Sequence, residues 1–194
     1  MKKKNKKYFV VSDIHGHYKE LKKALDEAGW ERANKNHILI VCGDIFDRGE
    51  ENIEVYKFLK DIPKTRRKLI KGNHEYLLLK MIENEHFSTV DYSNGTMNTL
   101  LDFVWNRHKH FTYYDYIFLD DRFEWEKEMI NKFKEKSVYK WLLSDEWIDY
   151  FELKDYKNQF IGSHANNLLT FNHPLTTVPN LIYLLNQLQR KMFL

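Results

Sequence analysis

Three short polar segments carry the residues whose types and spacing could do chemistry: SDIHG at 12–16, GDIFDRG at 43–49 and GNHE at 72–75. Carboxylates, imidazoles and amide oxygens are hard to borderline ligands, which suit Mn, Fe or Zn better than soft metal ions. An arginine beside aspartates in a loop suits a clamp on phosphate oxygens. The neighbouring glycines let the backbone come close and take positive φ. The segments therefore indicate metal and phosphate chemistry.

Each polar segment follows an apolar run and leads into a helical pattern. The runs predict three buried strands, at Tyr8–Ser12, His37–Cys42 and Lys68–Lys71, and the patterns predict helices over Tyr18–Trp30, residues 53–62 and Tyr76–Ile82. This alternation, repeated three times, indicates an α/β fold. At the carboxyl edge of such a sheet, loops and helix starts converge on a ligand. We therefore expect the three segments to meet, with GNHE as a loop.

Composition excludes several classes of protein. The 194 residues fit one domain, and no stretch approaches the run of about 20 apolar residues that a membrane helix needs. The net charge of +3 is too small to argue for nucleic acid. The basic N-terminus is followed by no apolar signal-peptide region, and the single cysteine, Cys42, agrees with a reducing compartment. The expected location is therefore cytoplasmic, with no membrane contact.

The second half of the chain differs from the first. Residues 84–158 are aromatic-rich and mostly helical in pattern, which is typical of an insertion or cap on the α/β core. An aromatic platform for nucleic acid is an alternative, but interspersed aspartates such as Asp120 and Asp121 disfavour it. All 28 acidic residues precede residue 156. We therefore predict a single domain over 1–194 with an atypical tail at 165–194.

Taken in order, the three segments resemble the phosphoprotein phosphatase branch of the calcineurin-like metallophosphoesterases, in particular bacterial and phage serine/threonine phosphatases. That family is marked by GDxHG, GDxxDRG and GNHE, and only the first is altered here, with Ser12 in place of glycine. The resemblance covers residues 8–83 closely, 84–158 loosely and the tail poorly. It implies an α/β fold (α+β in some schemes), a β-sandwich flanked by helices, with C-terminal strands missing.

The resemblance also implies a dinuclear metal centre. Asp13 and His15 would hold one divalent ion, Asp44 would bridge to the second, and Asn73 and His164 would bind the second. Manganese is the expected ion, with iron or zinc as alternatives. The two ions would activate a shared water as hydroxide, which attacks phosphorus in line.

The same resemblance assigns the remaining roles. Arg48, assisted by Asn73, would neutralise the phosphoryl oxygens. His74 would protonate the leaving alkoxide, and Asp47 would orient the imidazolium.

The pattern breaks near the end of the chain. His164 lies in FIGSHAN, two residues later than the family places its histidine, and no Gly-His pair follows it. His173 is too close in sequence to replace that pair. With the acid-free tail, this predicts a truncated or altered C-terminus, for example by frameshift, and weaker binding of the second metal. An uncovered sheet edge would favour a homodimer.

Three functions compete. The first is metal-dependent hydrolysis of phosphate monoesters, with phosphoserine and phosphothreonine proteins or small phosphoesters as substrates. The second is hydrolysis of dinucleoside polyphosphates by the same centre. Relatives of that kind commonly carry GNHD, so GNHE favours the first. The third is a degenerate, non-catalytic copy that binds phosphate or metal, which the missing histidine supports and the intact Asp47, Arg48 and His74 oppose.

Overall fold

The three predicted strands lie side by side in one parallel sheet. The computed structural model describes residues 6–108, 111–154, 159–163 and 181–183. In this structure β1 (Lys7–Val11), β2 (His37–Cys42) and β3 (Arg67–Ile70) are joined by α1 (Tyr18–Glu27) and by α2 (Asn52–Asp61), which a short 3₁₀ turn follows. Phe9 pairs with Leu39, and Leu39 pairs with Arg67. The predicted α/β class, with a parallel sheet flanked by helices, is confirmed.

Both faces of the sheet are buried. Phe9, Leu39 and Leu69 contribute to a large core with the helices, whereas Val10 and Ile40 face a smaller apolar cluster on the other side. Successive side chains of a strand point to opposite faces, so a strand covered on both sides has a continuous apolar sequence. This explains the uninterrupted HILIVC run.

The helical segment packs on the same large core. It comprises α3 (Asn73–Asn84), α4 (Thr89–Asn94), α5 (Thr96–Trp105), α6 (Tyr113–Ile117), α7 (Arg122–Lys134) and α8 (Ser137–Leu142). Leu100, Phe133 and Trp141 from this segment are fully or almost fully buried in that core. The insertion or cap at 84–158 stays a prediction. The expectation that this range is mostly helical is wrong after Leu142, where α8 ends and strands follow.

The later strands extend and flank the sheet. They are β4 (Trp147–Ile148), β5 (Tyr150–Lys154), β6 (Gln159–Ser163) and β7 (Leu181–Tyr183). The parallel sheet has the order β4-β3-β2-β1-β7, and β5 and β6 form an antiparallel pair. The apolar Leu-Ile-Tyr run forms a short strand along β1, and the absence of further C-terminal strands stays a prediction. The homodimer stays a prediction, and the β1 edge gives it no support.

No helix within the described segments combines the length and apolar character needed to cross a bilayer. The longest of them, α7, has 13 residues and many charged side chains.

A buried ion pair fixes the start of β3. Arg67 is 4% exposed, and its Nη1 donates to the carbonyl oxygens of Leu59, Lys60 and Ile62 at 2.6, 2.7 and 2.5 Å. Its Nη2 donates to Glu146, which also accepts a hydrogen bond from Trp141 Nε1 at 3.2 Å. Arg67 and Glu146 thereby tie the end of α2 to the segment that follows α8.

This pair predicts a dependence of stability on pH. Burial raises the pKa of Glu146, but hydrogen bonds from Arg67, Lys64 and Trp141 outweigh burial and lower it to about 2. A carboxyl with a lowered folded-state pKa stabilises the protein above its unfolded pKa, and that stabilisation disappears as pH falls through about 4.5 to 2. We expect Glu146→Gln to lower the free energy of unfolding by about 3 kcal/mol near neutral pH and progressively less toward pH 2, measured by urea unfolding.

Glu128→Gln is the matched control, because Glu128 lies on the surface, 56% exposed, with Lys132 as its partner. Its effect should stay within about 0.5 kcal/mol at every pH. A loss at Glu146 that did not shrink in acid would contradict the assigned ion pair.

Candidate metal centre and active site

The loops after β1 and β2 run side by side and are joined by backbone hydrogen bonds. The N–H of His15 donates to Asp44 O at 2.9 Å, that of Gly16 donates to Ile45 O at 2.9 Å, and that of Gly49 donates to His15 O at 2.9 Å. The two loops therefore form one unit at the carboxyl edge of the sheet, where the sequence predicted that they would meet.

Much of this unit has a left-handed backbone. Asp13, His15, Asp44, Asp47 and Arg48 have φ values of 51, 46, 52, 72 and 65°. Non-glycine residues in this region cost about 1 kcal/mol or more each, and such residues cluster at functional sites. The hydrogen bonds between the loops hold these residues in place.

His15 is fixed in a form that can bind metal. Its Nδ1 lies 2.9 Å from Phe46 O and donates to it, which leaves the lone pair on Nε2. Burial lowers the pKa of His15, and the nearby Arg48 and His74 lower it further. A neutral imidazole with a free Nε2 is the form that coordinates metal.

His15, Asp44 and His74 form a buried cluster of possible metal ligands, with one donor atom from each lying within 4.8 Å of the others. Asp44 Oδ2 lies 3.9 Å from His15 Nε2 and 4.0 Å from His74 Nε2. Two imidazoles and a carboxylate suit manganese, iron or zinc. The residues present therefore fit a divalent cation, and the donor set does not distinguish among the three metals.

The other predicted ligands have different settings. Asp13 lies half-buried in the loop of His15, and Asn73 is exposed at the first residue of α3. His164 lies outside the described residues. Of the five predicted ligands, the structure places His15 and Asp44 in the cluster and adds His74, for which the sequence predicted a different role.

His74 forms a buried pair with Asp47. Its Nδ1 lies 2.7 Å from Asp47 Oδ2, and its Nε2 lies 3.2 Å from Nη2 of the exposed Arg48. Because guanidinium nitrogens only donate, Nε2 accepts this bond and the ring proton is on Nδ1. Burial lowers the pKa of His74, but the hydrogen bond and charge of Asp47, together with the charge of Asp44, outweigh it and raise the pKa.

The GNHE segment was predicted as a loop, and this prediction was wrong, since α3 begins at Asn73. Glu75 is fully buried, and its carboxylate accepts from the N–H groups of Gly72, Asp44 and Ile45 at 2.8, 2.9 and 2.9 Å. It thus caps the start of α3 and binds the loop after β2. A Cβ at Gly72 would lie 2.3 Å from Asp44 Oδ1, so only glycine fits there.

Sequence reasoning missed two hydroxyls at this site. Thr96 Oγ1 and Thr99 Oγ1, in the first turn of α5, each lie 2.7 Å from a carboxylate oxygen of Asp47. The available signal was a pair of threonines three residues apart at the start of an otherwise apolar helical face.

Comparison with known proteins gives two kinds of match in sequence. A family model described as calcineurin-like phosphoesterase matches residues 6–188. Among curated proteins, symmetrical bis(5'-nucleosyl)-tetraphosphatases from Proteus mirabilis (strain HI4320) and Actinobacillus pleuropneumoniae serotype 3 (strain JL03) are 35% and 38% identical over 71 residues. Each alignment covers 37% of this chain and 25% of the relative, so the chain matches about a quarter of the length of these proteins.

Among solved structures, a mutant cold-active protein tyrosine phosphatase is similar with a TM-score of 0.35 and 24% sequence identity. The similarity covers 64% of this chain and 38% of that one.

The contacts of Glu75 generate a test of the site's scaffold. Burial, with the charge of Asp44, raises the pKa of Glu75 to about 7, against the three N–H donors, which lower it. In Glu75→Gln the amide NH₂ must face at least one of those donors. The variant has no charge to bury, whereas a carboxyl with a raised folded-state pKa costs stability once it ionises. We expect the free energy of unfolding of the wild type to fall by about 3 kcal/mol as pH rises from 4.5 to about 7, and Glu75→Gln to remove this fall, measured by chemical denaturation. Glu83→Gln, an exposed change on the same helix, is the control and should keep the wild-type pH dependence; an equal effect at both positions would contradict the buried setting of Glu75.

Proposed function

The chain belongs to the calcineurin-like phosphoesterase family, and from this membership and the geometry of its site we propose that it hydrolyses phosphate monoesters with two divalent metal ions. The observation that carries the proposal is the buried His74–Asp47 pair beside the His15–Asp44 donor set. The second ring nitrogen of His74 faces a guanidinium that can bind phosphate. A proton donor, a phosphate-binding cation and metal ligands in one place are the parts that phosphoester hydrolysis requires.

In this proposal Asp13 and His15 would hold one ion, Asn73 and His164 would hold the second, and Asp44 would contribute to both. Manganese is the expected ion, with iron or zinc as alternatives that the same donors accept. When bound, the ions supply a water molecule of lowered pKa as the nucleophile. The orientation of His15 supports this assignment, because its Nδ1 is engaged by Phe46 O and its Nε2 faces Asp44.

Arg48 and Asn73 bind the phosphoryl oxygens. Both side chains are exposed, so an incoming ester can reach them. A planar guanidinium bonds a phosphate through two parallel N–H groups, and these charge-assisted bonds are stronger than one bond to a neutral imidazole. Phosphate would therefore draw Arg48 away from His74 Nε2. Asn73 adds an amide at the start of α3, where the helix dipole favours an anion.

His74 then acts as the general acid. Once Arg48 has left, Nε2 is free to carry a proton and to donate it to the leaving oxygen as the phosphorus–oxygen bond breaks. Asp47 keeps the ring oriented through Nδ1 and balances the imidazolium charge. The raised pKa of His74 supports this role, because it increases the protonated fraction near neutral pH.

The proposed substrates are phosphoserine and phosphothreonine proteins or small phosphoesters. The curated relatives favour the alternative, dinucleoside polyphosphates, because they are named as symmetrical bis(5'-nucleosyl)-tetraphosphatases, although each alignment covers 25% of the relative. The sequence GNHE favours the protein substrate. A non-catalytic copy is the remaining alternative, and the His74–Asp47 pair opposes it.

A cytoplasmic location is part of the proposal. Cys42 is buried and forms no disulfide, and burial, with the charge of Asp13, raises the pKa of its thiol to about 12. A thiol of this kind is unreactive and agrees with a reducing compartment.

The activity is tested with Mn²⁺ and 4-nitrophenyl phosphate. We expect hydrolysis by the wild type that stops when EDTA removes the metal. With phenyl phosphate, whose leaving group is a stronger base, His74→Asn should lower kcat by about 100-fold, on the scale typical of a lost general acid, and the loss with 4-nitrophenyl phosphate should be smaller. Asp44→Asn should remove the metal-dependent rate. His86→Asn is the matched control, because His86 is exposed and pairs with Glu126. Absence of hydrolysis with manganese, iron and zinc would support the non-catalytic copy instead.

The substrate class is tested by presenting the active enzyme with a phosphoserine peptide and with diadenosine tetraphosphate. We expect the peptide to release inorganic phosphate, measured colorimetrically. Cleavage of its ester bond requires a proton for the leaving oxygen, which is the proton that His74 supplies. Chromatography of the nucleotide reaction detects the alternative products. Cleavage of the dinucleotide alone would replace the protein substrate with the nucleotide.

A further inference from the structure

We propose that Thr96 and Thr99 are positioning residues for the reaction, which hold Asp47 and through it set the orientation of His74. The inference rests on the proposed function, because it assigns a purpose to the orientation of the general acid. Both threonines lie on α5, outside the three polar segments. Their hydroxyls hydrogen-bond to Asp47, so they act on His74 through that carboxylate.

The two threonines bind Asp47 at its carboxylate and at its backbone. Thr99 Oγ1 lies 2.7 Å from Asp47 Oδ1, and Thr96 Oγ1 lies 2.7 Å from Asp47 Oδ2. The backbone N–H of Asp47 donates to Thr99 Oγ1 at 3.1 Å. Thr96, Thr99 and Asp47 are all 0% exposed. Without the Thr99 hydroxyl, Asp47 Oδ1 would lose a hydrogen-bond donor, and because the residue is fully buried, water would not replace it.

The direction of each hydrogen bond follows from the donors present. A carboxylate only accepts, so both threonine hydroxyls donate to Asp47. Thr99 uses its proton for Oδ1 and a lone pair for the Asp47 N–H, and therefore grips the residue at both its side chain and its backbone. Oδ2 accepts from Thr96 and from His74 Nδ1 together. The threonines thus hold the carboxylate that accepts the hydrogen bond from His74 Nδ1, and Nε2 remains the atom that faces Arg48.

The start of α5 is itself held against the catalytic loop. Gly95 has φ of 81°, and a Cβ there would lie 2.8 Å from the backbone nitrogen of Arg48. Further along the helix, the buried Asp102 accepts from Asn52 Nδ2 at 2.9 Å, and that amide also donates to Gly49 O at 3.2 Å. Two separate contacts therefore fix α5 relative to the loop that carries Asp47 and Arg48.

A loss of this positioning has a specific kinetic signature. Phenyl phosphate releases a strongly basic phenolate and depends on protonation of the leaving oxygen, whereas 4-nitrophenyl phosphate releases a much weaker base. A misoriented His74 therefore slows the first ester more than the second. General damage to the fold or to the metal ligands slows both esters alike.

The experiment compares Thr96→Val and Thr99→Val with Thr96→Ser and Thr99→Ser, in the presence of Mn²⁺. We expect each valine variant to lower kcat for phenyl phosphate about tenfold more than kcat for 4-nitrophenyl phosphate, with KM little changed. The serine variants should restore the wild-type ratio, because serine keeps the hydroxyl. Thr89→Val is the matched control, since Thr89 is exposed and begins α4 as Thr96 begins α5.

A second readout does not depend on turnover. The His74 Nδ1 proton should give a downfield proton NMR signal, assigned by its absence in His74→Asn. We expect the signal in the wild type and the serine variants, and its loss or an upfield shift in the valine variants. An unchanged signal, or equal loss of rate for both esters, would overturn the positioning role. A wild type that shows the signal but hydrolyses neither ester would overturn the proposed function and leave the positioning of His74 supported.

Discussion

Backbone hydrogen bonds between the loops after β1 and β2 are the interaction on which the rest of the site depends. They hold five non-glycine residues at positive φ, a conformation that these residues would leave if the loops separated. Each loop is anchored by a strand of the parallel sheet, and the strands are paired in register. The His15–Asp44 donor set and the His74–Asp47 pair can form because these two loops, which together we call the double loop, bring His15, Asp44 and Asp47 to one place.

Two helices complete the double loop from outside. Glu75 joins the start of α3 to the backbone of Asp44 and Ile45, so His74 is carried on an element fixed to the loop it faces. The start of α5 reaches Asp47 from the helical segment, whose apolar residues are buried in the same core as those of the strands. The helical segment is therefore part of the site's construction, and its removal would expose both the core and the carboxylate that orients His74.

The sequence predicted the first three strands and the meeting of the three polar segments at one edge of the sheet. These features follow from local patterns, because apolar runs form strands and parallel strands place their following loops at one edge. The contacts of Thr96 and Thr99 were not predictable in the same way. A threonine at a helix start commonly serves that helix, and only the packing of α5 brings the two hydroxyls to Asp47. GNHE was misassigned for a related reason, since its helix is capped by Glu75 from within.

The contact between Arg48 and His74 has a consequence for the turnover rate of the proposed enzyme. The guanidinium of Arg48 contacts the imidazole nitrogen of His74, and in the proposed reaction the phosphate of a substrate would compete for it. Inorganic phosphate, the product, carries the same oxygens as the substrate and would be held by the same group. Arg48 then exchanges the product phosphate for the imidazole of His74 in a single step when the product leaves. An enzyme built this way slows as phosphate accumulates, so the concentration of its own product sets a ceiling on its throughput without any additional regulatory site.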